Sequence, residues 1–219
     1  MPAFLCQIPG ARGGSGADLL IVPLGPSSRD LHARLNRIGG GVAAATTRAI
    51  DIGDFEAKAG KRLVIHSHGF EAYPRVMLLG LPADATPAQV RTQFVRAARD
   101  DVFSRSDRVA VHCAEFGGGA GLSAAVAAAV DGLTEGSYRW TMSTGERPRT
   151  PGQFLFLSPN ERSRARVDAG IRRGRAIGDA VSYARELANT PANVMGPKEL
   201  AESALSLAGG ALKVRVLED

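Results

Sequence analysis

The sequence predicts an α/β fold, a mixed sheet with helices on both faces in the manner of a macro domain, followed by a long connecting helix. Three observations carry the α/β prediction. Short apolar runs of strand length alternate with amphipathic or alanine-rich stretches of helical length, the order of a layered α/β domain. Glycine and proline punctuate the boundaries. Residues 108–113 have a continuous apolar centre, as a strand buried on both faces requires.

Taken in order, residues 19–24 read as a strand that ends at the Gly25-Pro26 turn. Ser28 caps a short helix with Leu31, Leu35 and Ile38 on one face, closed by Gly39. Residues 62–66 and 75–79 are two further strands, and Pro74 fits the connection between them better than a strand interior. Thr86-Pro87-Ala88-Gln89 is a capping box with proline at the first helical position. The helix it opens carries Val90, Phe94, Ala97, Ala98 and Val102 on one side. After the strand at 108–113, the glycine cluster 117–121 leads into an alanine-rich helix over 122–130, which Asp131-Gly132 would stop. Residues 154–157 form another strand. Ser158-Pro159-Asn160-Glu161 is a second capping box and opens the longest helix, to about Ala188.

That helix places Val167, Ile171, Ile177, Val181, Ala184 and Ala188 along one broad side, with Gly170, Gly174 and Gly178 repeating every fourth position there. Each glycine costs about 1 kcal/mol of helix propensity relative to alanine. Such a cost is tolerable where a missing side chain lets another element approach closely, so the glycines predict a packing seam. The helix ends near Asn189-Thr190-Pro191, since the residue before proline avoids the helical region. Pro197 starts a further helix through Leu200, Ala204 and Leu207, stopped by Gly209-Gly210, and residues 212–217 read as a strand. The organisation is thus an N-terminal α/β domain over 1–157, a connecting helix over 158–190, and a terminal helix and strand over 191–219.

Composition sets the class. At 219 residues, 44% apolar and 22% charged, the chain is neither disordered nor collagen-like. Only 5% is aromatic while Ala and Gly abound, so the core is built from small and aliphatic side chains. No apolar run approaches the ~20 residues that span a bilayer, and the first 16 residues lack a signal-peptide core. Cys6 and Cys113 give no disulfide framework. A soluble cytoplasmic protein with no membrane partner is the expectation.

Net charge is +5 but uneven: nine arginines lie between Arg139 and Arg175, against Glu146, Glu161 and Asp168. A helical wheel puts Arg162, Arg166 and Arg173 within about 40° of one another. Such a patch suits nucleic acid, and equally suits the solvated side of a helix. His66 and His68 share one side of a strand, but zinc wants three or four ligands and no others have a recognisable spacing with them. Residues 119–124 match GxGxxA between a strand and a helix, which makes Gly117, Gly119 and Gly121 weak anion-binding candidates. The alternative is a tight turn. Residues 10–16 are glycine-rich but no lysine follows, so they are no P-loop. No Ser, Cys, His and acid combination marks a nucleophile.

The stretch Tyr183-Ala184-Arg185-Glu186-Leu187-Ala188-Asn189-Thr190-Pro191-Ala192-Asn193-Val194-Met195-Gly196-Pro197 resembles the interdomain junction of the leucyl aminopeptidase family. There a helix ends in Asn-Thr-Pro-Pro-Asn before a short helix opened by Thr-Pro. Asn189, Thr190, Pro191 and Asn193 are the matching junction positions, while Ala192 and Gly196 depart from the pattern. Residues 53–61, 75–81 and 131–140 resemble three upstream family segments more loosely, so the resemblance covers most of the chain from about Gly53.

The resemblance implies a two-metal exopeptidase (zinc or manganese) that is cytosolic and hexameric and removes N-terminal residues from peptides. It also implies that metal ligands and catalytic residues lie in a C-terminal domain, on motifs such as Asn-Thr-Asp-Ala-Glu-Gly-Arg, absent from these 219 residues. The expected role is a non-catalytic N-terminal portion that assembles the oligomer, restricts access and partners its own catalytic domain. No metal or other cofactor, and no catalytic residue, is expected in this chain. Two rivals are a free-standing macro-like nucleotide or ADP-ribose binder using residues 117–121, and a basic nucleic-acid-binding module.

Overall fold

Six strands form one sheet in the computed structural model, which describes residues 2–8, 16–26, 36, 39–67, 72–116, 121–140, 149–210 and 212–217. The strands are β1 (Ala3–Gln7), β2 (Leu19–Leu24), β3 (Arg62–His66), β4 (Arg75–Gly80), β5 (Arg108–His112) and β6 (Gln153–Leu157), in the spatial order β1-β6-β5-β2-β4-β3. All neighbours run parallel except β3, which is antiparallel to β4. This is the mixed sheet the sequence predicts. β2 is buried at every residue, as a central strand should be. Pro23 is tolerated there because β2 pairs with β5 only through Ile21, so its missing N–H falls beyond that ladder. Ser67 closes the β3–β4 connection, donating its backbone N–H to Pro74 O at 2.9 Å and its hydroxyl to Tyr73 O at 2.8 Å.

Two apolar clusters sandwich the sheet. On one face α1 (Gly40–Asp51) packs Val42 and Ala43 over Leu20, Val22 and Leu78, with Phe55 and Tyr73 filling the edge. On the other, α2 (Pro87–Ala98), α4 (Gly121–Ser137) and α5 (Glu161–Asn189) cover Ile21, Met77, Val109, Phe154 and Phe156. The scarce aromatics concentrate here. Phe154 stacks on Phe4 at 4.8 Å and on Phe103 at 5.7 Å.

The structure corrects several boundaries. Two elements, β1 and α1, are absent from the sequence reading; the helix expected from Ser28 lies outside the described residues. The Thr86 capping box is present, with Gln89 N–H donating to the Thr86 hydroxyl and Thr86 N–H donating to Gln89 Oε1 at 2.9 Å. The helix stops at Ala98, however, so Val102 is not part of it. Asp100 instead caps a separate one-turn α3 (Asp101–Ser104) by accepting Val102 N–H at 2.9 Å, the local competition that Asp side chains offer.

Asp131-Gly132 does not stop α4, which runs on to Ser137. Asp131 is ion-paired with Arg91 at 2.7 Å, and a Cβ on Gly132 would sit 2.5 Å from Arg91 O. The glycine serves the approach of α2, not termination. The cap of α5 is Asn160, whose Oδ1 accepts Ser163 N–H at 3.0 Å; Ser158 donates its hydroxyl to Asn160 O at 2.9 Å.

The glycine seam is present. A Cβ on Gly170 would meet Ser123 O at 2.6 Å, on Gly174 Ala127 O at 2.5 Å, and on Gly178 Thr134 Cβ at 2.9 Å. Here α5 lies almost backbone-to-backbone on α4. The broad apolar side expected beyond it is only half buried: Val167 and Ile171 enter the core, whereas Ile177, Ala184 and Ala188 are exposed. After Thr190 come α6 (Pro197–Ser206) and an isolated bridge between Gly209 and Leu212. Residues 213–217 form no strand, since none of the described residues pairs with their backbone.

Candidate functional site

The junction at the end of α5 holds the densest set of polar contacts. Asn189 is the last residue of α5 and Thr190 its C-cap. Thr190 donates both its N–H (3.1 Å) and its hydroxyl (2.6 Å) to Glu186 O, satisfying a terminal carbonyl before Pro191 redirects the chain. Pro191 O then accepts Val194 N–H and Met195 N–H, each at 2.9 Å, which forms the turn into α6. Asn193 is exposed, and its side chain makes no hydrogen bond among the described residues.

This turn is tied to the body of the domain. Asn189 Nδ2 donates to Tyr138 OH at 3.2 Å, and that hydroxyl donates to Glu186 Oε2 at 3.0 Å. Burial, with Glu186 adding to it and Asn189 opposing it, raises the Tyr138 hydroxyl above its ordinary value. Arg185 lies over the Tyr138 ring at 5.8 Å and donates to Glu135 Oε1 at 2.8 Å. Glu135 and Asp131 also both hold Arg91 of α2. The sequence singles out the junction residues as a family-like motif and Tyr138 within the family-like segment 131–140, but gives no role to Glu135 or Arg91. Their one signal was the i, i+4 spacing of Asp131 and Glu135 on α4.

The other described candidates lie apart from this junction. Gly117 and Gly119 lie outside the described residues; Gly121 is the first residue of α4, at φ +67°. Arg162, Arg166 and Arg173 are exposed on α5, and Arg166 donates to the Ser163 hydroxyl at 3.4 Å. Arg173 joins Ile177, Arg91, Asp131, Pro87 and Ala88 around a groove of about 200 Å³ above the alanines of α4. His66 is exposed on the edge strand β3, and His68 lies outside the described residues. Among the described residues, no three His, Cys, Asp or Glu side chains are grouped to hold a metal ion. No helix among them is long and apolar enough to cross a membrane.

Both thiols are suppressed. Burial, then the Asp168 carboxylate, pushes Cys6 up to about 11, and burial pushes the Cys113 thiol well above its ordinary value. A raised thiol pKa lowers the thiolate fraction at neutral pH. Iodoacetamide should therefore modify Cys6 at pH 8 roughly 100-fold more slowly than an ordinary exposed thiol, and the rate should climb until about pH 11. Mass-spectrometric alkylation kinetics check this. A rate at pH 8 equal to that of free cysteine contradicts it.

The profile of the cytosol aminopeptidase family, N-terminal domain, matches residues 22–142. A protein of Syntrophotalea carbinolica named "Probable cytosol aminopeptidase" is 32% identical over 171 residues, covering 75% of this chain and 34% of its own length. One of the same name from Mycobacterium leprae is 31% identical over 220 residues, covering 93% and 41%. Among solved structures, a mutant of tomato leucine aminopeptidase superposes with a TM-score of 0.66 at 21% identity, covering 94% of this chain and 42% of that one. The bottromycin maturation enzyme BotP in complex with Mn superposes with a TM-score of 0.63 at 20% identity, covering 87% and 36%. At these identities the two structures speak to the fold alone. The chain spans about a third of the length of the first of these relatives.

Proposed function

Because this chain belongs to the cytosol aminopeptidase family through that family's N-terminal domain, we propose that it is the non-catalytic portion of a leucyl aminopeptidase-like metallo-exopeptidase. Its work is assembly of the oligomer, a hexamer as the resemblance implies, and restriction of access to the catalytic interior in the cytoplasm. The observation that carries this reading is the family match over residues 22–142, which takes in β3, β4, β5 and the helices α1 to α4.

The tail supports it. No residue of α6 is buried, and Leu200, Leu205, Leu207, Leu212 and Leu217 are all exposed, Leu217 at 77%. Apolar side chains gathered in this way mark an interaction surface. A catalytic domain docked against α6 would cover them. The long helix α5 joins that surface to the N-terminal body, and the Asn189-Thr190-Pro191 turn sets the exit.

Two divalent ions, zinc or manganese, belong to the catalytic part on this reading. The described residues do not fit them: His66 stands on an exposed edge, and Cys113 is buried with its thiol held protonated. No step through a metal is therefore assigned to this chain. The comparisons favour neither the nucleotide-binding nor the nucleic-acid-binding alternative.

The purified chain should show no metal-dependent turnover of leucine p-nitroanilide with Mn²⁺ or Zn²⁺; measurable turnover would overturn the non-catalytic role. Placed ahead of a leucyl aminopeptidase catalytic domain, the chain should raise the number of subunits per particle, by light scattering, above that of the catalytic domain alone. An equal number of subunits would remove the assembly role.

A further inference from the structure

Along the first part of their contact α5 and α4 interlock, with Val126, Val130 and Thr134 of α4 seated over Gly170, Gly174 and Gly178. The glycines end at Gly178, and the remainder of α5, to Asn189, needs another device to fix its rotation and direction. A half-buried pair adds little net stability after its desolvation, and its best-attested use is to select one register among several.

Beyond the glycines the structure supplies such a device. Glu135 is mostly buried and carries Arg185 of α5 on Oε1 at 2.8 Å and Arg91 of α2 on Oε2, so one carboxylate of α4 engages both flanking helices. Arg91 is fixed in turn by Asp131 Oδ2 at 2.7 Å. One turn further on, Tyr138 takes Glu186 and Asn189 and lies under the Arg185 guanidinium. Three residues of the last part of α5 are thus held by residues at or just beyond the end of α4.

We propose that Glu135 is a register lock, a positioning residue whose bridge between Arg91 and Arg185 fixes the rotation and direction of α5 beyond its glycine seam. It thereby sets the direction in which the chain leaves at Thr190. The use of the lock, to align the segment beyond residue 190, rests on the functional reading above; the lock itself does not.

The test is a distance distribution, not a stability. Spin labels are placed at Asp54→Cys, on the exposed loop after α1, and at Leu205→Cys, on the exposed side of α6, in the full chain with Cys6→Ser. Tyr183 OH on α5 donates to Ser203 O at 2.9 Å, which links the reporter's helix to α5. The parent should give one narrow distance by dipolar spectroscopy. Glu135→Leu should broaden it at least twofold or split it while keeping a cooperative melt, since Arg91 retains Asp131 and both guanidinium groups left behind are partly exposed to water.

A width unchanged by Glu135→Leu overturns the lock, whether or not the melting temperature falls, and so does a parent distribution that is already broad. If Glu135→Leu does not fold, Arg185→Met and Arg185→Lys are read instead. Broadening that is larger for Met than for Lys supports the lock, and equal narrow widths overturn it. Failure of the turnover or assembly tests would remove the partner that the lock aligns and leave this result standing.

Discussion

Phe154→Ala should cost about 3–5 kcal/mol of folding stability, the range for deleting a fully buried aromatic ring. Phe154 lies on β6 between β1 and β5, is 1% exposed, and stacks on Phe4 and Phe103. Its ring therefore joins the edge strand, the sheet centre and the short helix α3 in one contact set. Removing it leaves Phe4 and Phe103 facing a gap that each would have to leave its own packing to fill. Against a typical total of about 5–15 kcal/mol, such a loss leaves the domain marginal. Urea denaturation followed by circular dichroism measures it, and Phe154→Leu should lose markedly less because more of the volume is kept. A loss below about 1.5 kcal/mol for the alanine variant would show that the cluster collapses around the gap.

The second large effect reverses an ordinary rule. On a free helix, Gly174→Ala would gain about 1 kcal/mol. Here it should lower stability by about 2 kcal/mol, because the added methyl meets Ala127 O at 2.5 Å, Val130 Cβ at 2.7 Å and Ala127 Cα at 3.0 Å. Two of these are backbone atoms of α4 and cannot rotate away. Thermal melts of Gly174→Ala beside Ala176→Gly, an exposed position on the same helix, separate packing from propensity. Both variants should melt below the parent. A Gly174→Ala protein that melts above it would contradict the seam.

Much of the fold was legible in the sequence because its signals are local. The apolar runs of β2, β4, β5 and β6 and the Thr86 capping box need only neighbouring residues to be read. The misses share a different cause. β1 is a five-residue edge strand of mixed burial, with no periodic signal to set it apart from the adjoining loop. α1 opens with Gly40-Gly41, which read locally as a break, and is held by burial of Val42, Ala43, Thr46 and Ala49 against the sheet. Gly132 looked like a stop because the approach of α2 is a tertiary fact. Asn189 and Thr190 were legible as a motif. Their anchor on Tyr138 was not, since some fifty residues separate the partners.

The pairing of β1 with β6 has a consequence for biosynthesis. β1 is made before the other five described strands, and among the described residues its hydrogen-bonded strand neighbour is residues 153–157, the latest of them to be made. At about 5–20 residues per second, it waits roughly 7–30 s as an unpaired apolar segment bearing Phe4 and Leu5. During that interval the nascent chain is open to capture by chaperones or by a neighbouring polysome, a vulnerability that ends when β6 threads between β1 and β5.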